Sequence, residues 1–208
     1  YTSAFVGKWD SGKRSTFGPI KQGFDFDIWG AKNKYPDDVQ NIRFLTEQAI
    51  DFISRNKENP FFVYLSHNAV HTPLEAHEDV LQKYKTKTPG KLHNNPLYAA
   101  YVEHLDNSIG TIMAKLDELN ISRNTVVIFT SDNGGRLPET NNSPLRSGKG
   151  TLNEGGIRDP LAIRWPDKIK SSSICHTPVC SIDFFPTLVE LSGGNPSSYK
   201  LDGISLAT

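Results

Sequence analysis

The chain has 208 residues, with 23 Lys and Arg against 23 Asp and Glu, so its formal net charge is zero. That length supports one domain with a substantial core, or one domain with a small appendage. The charge balance excludes a general binder of nucleic acid or of anionic membranes, and no apolar run approaches a membrane span.

The sequence starts Tyr1-Thr2-Ser3-Ala4-Phe5-Val6, with no initiator Met and no readable signal peptide, and so reads as a mature form or a fragment. Residues 2–6 suit a short strand that runs into the glycine-flanked turn Gly7-Lys8-Trp9-Asp10-Ser11-Gly12. Residues 23–30 alternate apolar and acidic side chains, as a half-buried strand does. A helix is predicted over 38–57, where Val39, Ile42, Leu45, Ala49, Phe52 and Ile53 make one stripe. Asp37 or Asp38 can cap its start, and Asn59-Pro60 ends it.

Residues 61–66 are then a buried strand, which delivers His67-Asn68-Ala69-Val70-His71-Thr72-Pro73-Leu74. His67 and His71 would share one face of a helix and suit zinc, but Pro73 and the preceding strand oppose a helix here. A strand-end histidine can act as a general acid near neutral pH, or can be a loop residue held by backbone groups. Residues 74–95 are polar, with one short helix predicted over 78–84. A long helix follows over 97–119, with Tyr98, Tyr101, Leu105, Ile109, Ile112, Leu116 and Leu119 as core.

Val126-Val127-Ile128-Phe129 reads as a strand buried on both faces, followed at once by Thr130-Ser131-Asp132-Asn133-Gly134-Gly135. In a parallel α/β sheet, ligands sit beyond the carboxyl ends of strands. Asp132 offers a hard cation a charged oxygen and Asn133 a neutral one, the ligand types that calcium or magnesium takes. The alternative is a strand that ends in an ordinary Asn-Gly turn.

Residues 136–153 show no apolar periodicity, and loops this long are usually functional or disordered. Ser147-Gly148-Lys149-Gly150-Thr151 lacks the first glycine and the lead-in strand of a phosphate-binding loop, so a nucleotide site is rejected. Lys149 suits an anion instead. Strands are predicted over 160–165 and 174–181, and a helix over 183–191. Cys175 and Cys180 lack metal or thioredoxin spacing and are expected to be small buried residues on a strand. Alternating strands and helices give an α/β class with a mainly parallel central sheet flanked by helices. Residues 1–194 are expected to form that α/β domain, and 195–208 a turn-rich tail that leads towards a further subdomain.

Several of these stretches, in order, carry a resemblance. They are Gly7-Lys8-Trp9 with Gly12, Pro60-Phe61-Phe62-Val63-Tyr64-Leu65-Ser66, His71-Thr72-Pro73-Leu74, and Asn124 through Gly135. Then come Pro144-Leu145-Arg146-Ser147-Gly148-Lys149-Gly150, Glu154-Gly155-Gly156-Ile157-Arg158 with Pro160, Trp165-Pro166, Asp183-Phe184-Phe185-Pro186-Thr187-Leu188 and Leu201-Asp202-Gly203-Ile204-Ser205-Leu206. The chain resembles the type I sulfatases, arylsulfatase-like enzymes of the alkaline phosphatase superfamily.

The resemblance implies hydrolysis of a sulfate ester of a small molecule or carbohydrate. It implies that Asp132 and Asn133 are two ligands of a calcium ion, that Lys8 and Lys149 hold the sulfate, and that His71 contacts the sulfate and the leaving-group oxygen. Arg158 would support its loop. A secreted or periplasmic location follows from the family alone. The chemistry is consistent, because a cation and two lysines stabilise charge on the sulfate oxygens while a histidine protonates the departing alkoxide.

Two departures stand out. The family usually has His two residues after the Lys of Gly-Lys-Trp, where this chain has Asp10, an acid that would repel sulfate unless it turns away or bonds Lys8. The family's formylglycine, made from Cys or Ser in Cys/Ser-x-Pro-x-Arg, is expected upstream and is absent from these residues, as are two further acidic metal ligands. The chain alone is therefore expected to be inactive. The competing readings are a phosphatase or phosphodiesterase of the same superfamily, and a non-catalytic sulfatase-like protein that binds glycan or serves as a scaffold.

Overall fold

The computed structural model describes residues 1–29 and 35–207. They form two compact units, 1–169 and 170–208. In the first unit, β1 (Thr2–Gly7) lies between β2 (Phe26–Ile28) and β3 (Phe61–Ser66), and both pairings are parallel. The register aligns Ala4 with Phe26, Thr2 with Phe61 and Gly7 with Ser66. Among the described residues, β2 is shorter than the predicted 23–30 strand, and Gly30 lies outside them. One reason is that the chain entering β2 is tied down by a side chain. The Asp25 carboxylate accepts from both the Ser3 amide and the Ser3 hydroxyl, at 2.8 Å each.

Side-chain alternation along β1 sets the layers. Ala4 and Val6 join Phe44, Leu45 and Phe52 of α2 (Ile42–Asn56) in one buried cluster, against which Phe61, Val63 and Leu65 of β3 pack. Each large apolar side chain sealed there contributes about 2 kcal/mol. Phe5 points to the opposite face, where it meets Trp9 edge-on at 5.1 Å, Phe24 at 5.5 Å and stacks on Tyr64 at 5.1 Å. The predicted stripe on α2 is buried as expected, but the helix starts later than Asp38. Residues 39–41 make a 3-10 turn, and the Asp38 carboxylate caps the helix by accepting from the Arg43 and Phe44 amides at 2.8 Å each.

The long helix α4 (Pro96–Glu118) is capped by the Asn95 side chain, which accepts from the Leu97 and Tyr98 amides at 3.1 and 3.2 Å. It packs against α2 and against the short helix α3 (Glu78–Lys85). Tyr101 and Leu116 are fully buried. A second cluster, of Val39, Ile42 and Tyr101, takes Ala69, Val70 and Leu74 against it. The segment after β3 is thus pinned to the junction of α2 and α4.

A polar chain reinforces that anchor. Thr46 Oγ1 donates to the Ile42 carbonyl at 2.6 Å, so it accepts from Ser108 Oγ, also at 2.6 Å. Ser108 has then used its only proton, so it accepts from His67 Nε2 at 3.1 Å. His67 is therefore the Nε2–H tautomer, and its Nδ1 is shielded from solvent with no partner among the described residues. The same facts agree with the sequence argument against zinc at His67 and His71, since Nε2 is committed to Ser108 and residues 67–71 form no helix.

Strand β4 (Val127–Thr130) pairs antiparallel with β5 (Leu161–Arg164), in the register Val127 with Arg164 and Thr130 with Leu161. The expectation that this strand is buried on both faces is overturned. Val127 and Ile128 are half-buried, while Phe129 and Thr130 are exposed. An apolar β-branched run signals a strand; it does not count the layers packed over it.

In the second unit the predicted strand over 174–181 is irregular and exposed, and Cys175 and Cys180 are exposed free thiols. Its backbone is spent elsewhere. The Cys180 amide donates to the Asp183 carboxylate at 2.8 Å. Asp183 precedes α6 (Phe184–Leu191) and also accepts from the Ile204 amide at 2.9 Å, and Thr187 Oγ1 accepts from the Leu206 amide at 2.8 Å. The Cys180 and Ile204 amides hold the Asp183 carboxyl below the usual range.

Burial lowers His67 from 6.5 to about 4. Below pH 6.5 the unfolded chain gains a proton that the folded chain refuses. The stability is whole above pH 6.5 and is lost as pH falls towards 4, by about 3 kcal/mol in total. His67→Gln, which keeps a donor for Ser108 and cannot titrate, should flatten the fall in denaturant stability between pH 7 and 4.5. Parallel falls in the two proteins would refute this.

Candidate active site

The site residues sit on loops at strand ends. Gly7 is the last residue of β1 and adopts φ +113°, and an added Cβ would lie 2.0 Å from the Ser66 carbonyl oxygen. That close approach lets the Lys8 amide donate to Ser66 at 2.8 Å, so Lys8 leaves the sheet beside the exit of β3. Lys8 Nζ is held by the Asp10 carboxylate at 2.8 Å, with Lys8 29% and Asp10 72% exposed. His71 is exposed, and its Nδ1–H donates to the Thr72 carbonyl at 2.7 Å, which leaves Nε2 as its free ring nitrogen.

The second cluster follows β4. Asp132 is exposed and Asn133 half-buried. The Gly134 amide donates to Gly156 at 3.0 Å, the Gly155 amide to Arg146 at 2.9 Å and the Lys149 amide to Gly135 at 3.1 Å. Asn142 Nδ2 bridges the carbonyls of Gly135 and Ser147 at 2.8 and 3.1 Å. Lys149 is exposed and has no ion pair among the described residues. Glu154–Ile157 forms the single turn α5, and Arg158, which follows it, lies 3.5 Å from Glu154 with both side chains exposed. No hydrogen bond or ion pair among the described residues joins Lys8 or His71 to Asp132, Asn133 or Lys149.

Sequence reasoning missed Asp159. Continuing the antiparallel register beyond Thr130 and Leu161 sets Asp159 opposite Asp132. Burial, then the Asp132 charge, raise the Asp159 carboxyl above its usual range. The antiparallel pairing was the signal, and a parallel assumption hides it. Among the described residues no group of three or more His, Cys, Asp or Glu is gathered to hold a metal. Two carboxylates that repel each other, next to an amide oxygen, are nonetheless a hard-oxygen donor set that fits part of a calcium shell.

The family model described as Sulfatase matches residues 1–194. The chain belongs to the sulfatase family. A sulfatase of Formosa agariphila is 42% identical over 164 residues, which cover 73% of this chain and 30% of that protein. N-acetylgalactosamine-6-sulfatase of Canis lupus familiaris is 32% identical over 246 residues, covering 99% of this chain and 45% of that protein. The crystal structure of Ps i-CgsB in complex with k-i-k-neocarrahexaose superimposes with a TM-score of 0.83 at 30% identity, over 99% of this chain and 54% of that one. This sulfatase chain thus spans roughly a third to a half of the length of these relatives. The mixed α/β architecture with its parallel sheet is that of the family.

The site of this sulfatase chain depends on backbone meeting backbone. A Cβ at Gly134 would stand 1.9 Å from the Gly155 carbonyl oxygen. Gly134→Ala should therefore cost about 2 kcal/mol or more, read as a lowered melting temperature. Wild-type melting would contradict the close approach.

Proposed function

We propose that this chain supplies part of the active site of a sulfatase that hydrolyses sulfate esters of carbohydrates. The observation that carries the reading is the family match across 1–194, with Lys8, His71, Asp132, Asn133 and Lys149 all on loops at strand ends. The sugar preference is supported by similarity to the N-acetylgalactosamine-6-sulfatases and to Ps i-CgsB, crystallised with k-i-k-neocarrahexaose. Among the described residues no helix is long and apolar enough to cross a membrane. Export is the reading that the family favours.

In this mechanism Lys8 and Lys149 hold the sulfate oxygens. As a nucleophile supplied from outside these residues bonds to sulfur, the S–O bond to the sugar breaks and its electron pair goes to the leaving oxygen. His71, whose Nδ1–H is fixed on Thr72, acts through Nε2 as the general acid that supplies a proton to that oxygen. Asp132 and Asn133, with Asp159 beside them, would hold calcium, or magnesium in its place. The bound cation would neutralise charge on the sulfate oxygens. No Cys/Ser-x-Pro-x-Arg lies within the 208 residues; on this reading the nucleophile comes from outside them, and these residues by themselves would bind a sulfate ester without turnover.

The complete protein should hydrolyse a sulfated sugar and 4-nitrophenyl sulfate. Lys149→Ala and His71→Ala should each lower kcat/KM about a hundredfold. Preference for 4-nitrophenyl phosphate would make it a phosphatase. Glycan binding without turnover would establish the non-catalytic reading, which the Asp10 lock on Lys8 favours. That lock has its own consequence. Asp10→Asn frees the Lys8 ammonium and should tighten binding of inorganic sulfate about threefold at low salt, the scale of an exposed ion pair. The gain should vanish at high salt, and equal affinity of variant and wild type at low salt would show that Asp10 does not compete with the anion.

A further inference from the structure

Arg136, Leu137, Ser147, Gly148, Lys149 and Thr151 line a cavity of about 290 Å³. It lies at the small end of the range for small-molecule sites and suits one ring-sized group better than a long oligosaccharide. Its lining has two cations, two hydroxyls, one apolar side chain and no acid.

The walls are built rather than incidental. One wall starts at Gly135, whose carbonyl takes both the Lys149 amide and the Asn142 side chain, and Asn142 also holds Ser147 on the other wall. Thr151 is fixed by its hydroxyl and its amide, both of which donate to the Gly148 carbonyl, at 2.9 and 3.2 Å.

Arg136 is held by Glu139, three residues on, through a single terminal nitrogen. Glu139 is itself fixed. Its side chain is only 20% exposed, and its backbone carbonyl accepts from Asn95 Nδ2, at the cap of α4, at 2.9 Å. A guanidinium carries five donors in a planar fork, so one bond to Glu139 orients it and leaves the rest for a ligand. Among the described residues no other hydrogen bond uses the Arg136 side chain. Lys149 across the cavity is a point charge without an ion pair.

We propose that this cavity is a second anion subsite, in which Arg136 binds a carboxylate or second sulfate on the sugar that carries the scissile ester. The proposal rests on the sulfate-ester reading above, with Lys149 holding the first sulfate. It makes Arg136 a specificity determinant for doubly charged sugars. A fork favours a planar or tetrahedral oxyanion bound through two oxygens, which a lone ammonium does not select.

The test is calorimetric titration of the complete protein, stripped of divalent metal so that it binds without turnover, with glucosamine 6-sulfate, with glucosamine 2,6-disulfate, and with a sulfated uronic acid. The wild type should bind each doubly charged sugar about tenfold more tightly than the monosulfate. Arg136→Ala should reduce that ratio to near one, and Arg136→Lys should leave an intermediate ratio. Lys149→Ala should weaken all three ligands and leave the ratio in place. Preference for the disulfate alone, or for the uronic acid alone, identifies which oxyanion the fork takes. A ratio near one in the wild type, or a ratio unchanged in a folded Arg136→Ala, overturns the subsite while the sulfate reading stands. No binding of any of the three, or of inorganic sulfate, by the wild type overturns both.

Discussion

Backbone contact between the loop after β4 and the loop around Gly155 is the constraint on which the rest of the site depends. Gly134 bonds Gly156, Gly155 bonds Arg146, and Lys149 bonds Gly135, all through main-chain groups. Segments nine to twenty-two residues apart are thereby locked without the use of a functional side chain. Asp132, Asn133 and Lys149 are left for a ligand, and Lys149 does not collapse onto Asp132. Only glycine permits such proximity, since a Cβ at Gly155 would fall 2.2 Å from the Ser147 carbonyl oxygen. The Glu-Gly-Gly segment therefore matters for what it lacks. It adds no chemistry of its own and sets the distance between groups that do.

The two lysines of the site are prepared in opposite ways. Lys149 is presented without an ion pair among the described residues, whereas Lys8 is paired with Asp10. An exposed pair of this kind is weak and screened by salt, so it tunes rather than blocks. On the proposed reading a sulfate that reaches Lys8 must displace a carboxylate, a cost that falls equally on every ligand, so selection for a second negative group rests on the Arg136 cavity alone.

Most of the first unit was legible in the sequence because its signals are local. The α2 stripe, the strand β3 and the long apolar period of α4 each appear where periodicity placed them, although β3 is half-buried, with Tyr64 exposed, rather than buried. What was not legible depended on pairing across distance. The β4 run looked like a central parallel strand, and its antiparallel partnership with β5 is invisible in either segment alone. The stretch over 174–181 had strand composition, yet the Asp183 carboxylate captured the Cys180 amide, and no ladder formed. Side-chain capture of backbone groups competes with secondary structure and leaves little trace in a composition count.

The same distinction governs the site. Lys8, His71, Asp132, Asn133 and Lys149 are proposed from the sequence because they lie inside contiguous motifs. Asp159 and Arg136 enter the proposal only through a neighbour in space: Asp132 along the extended β4–β5 register, and Lys149 in the same cavity. Net charge conceals this as well. The chain balances 23 cations with 23 acids, yet the strand ends bring Asp132 and Asp159 together while the adjoining loops gather Arg136 and Lys149. Like charges held close are costly to a fold unless a counter-ion joins them. On the proposed reading the acid pair would take a cation and the basic pair an anion, so a chain neutral as a whole would supply two local fields of opposite sign.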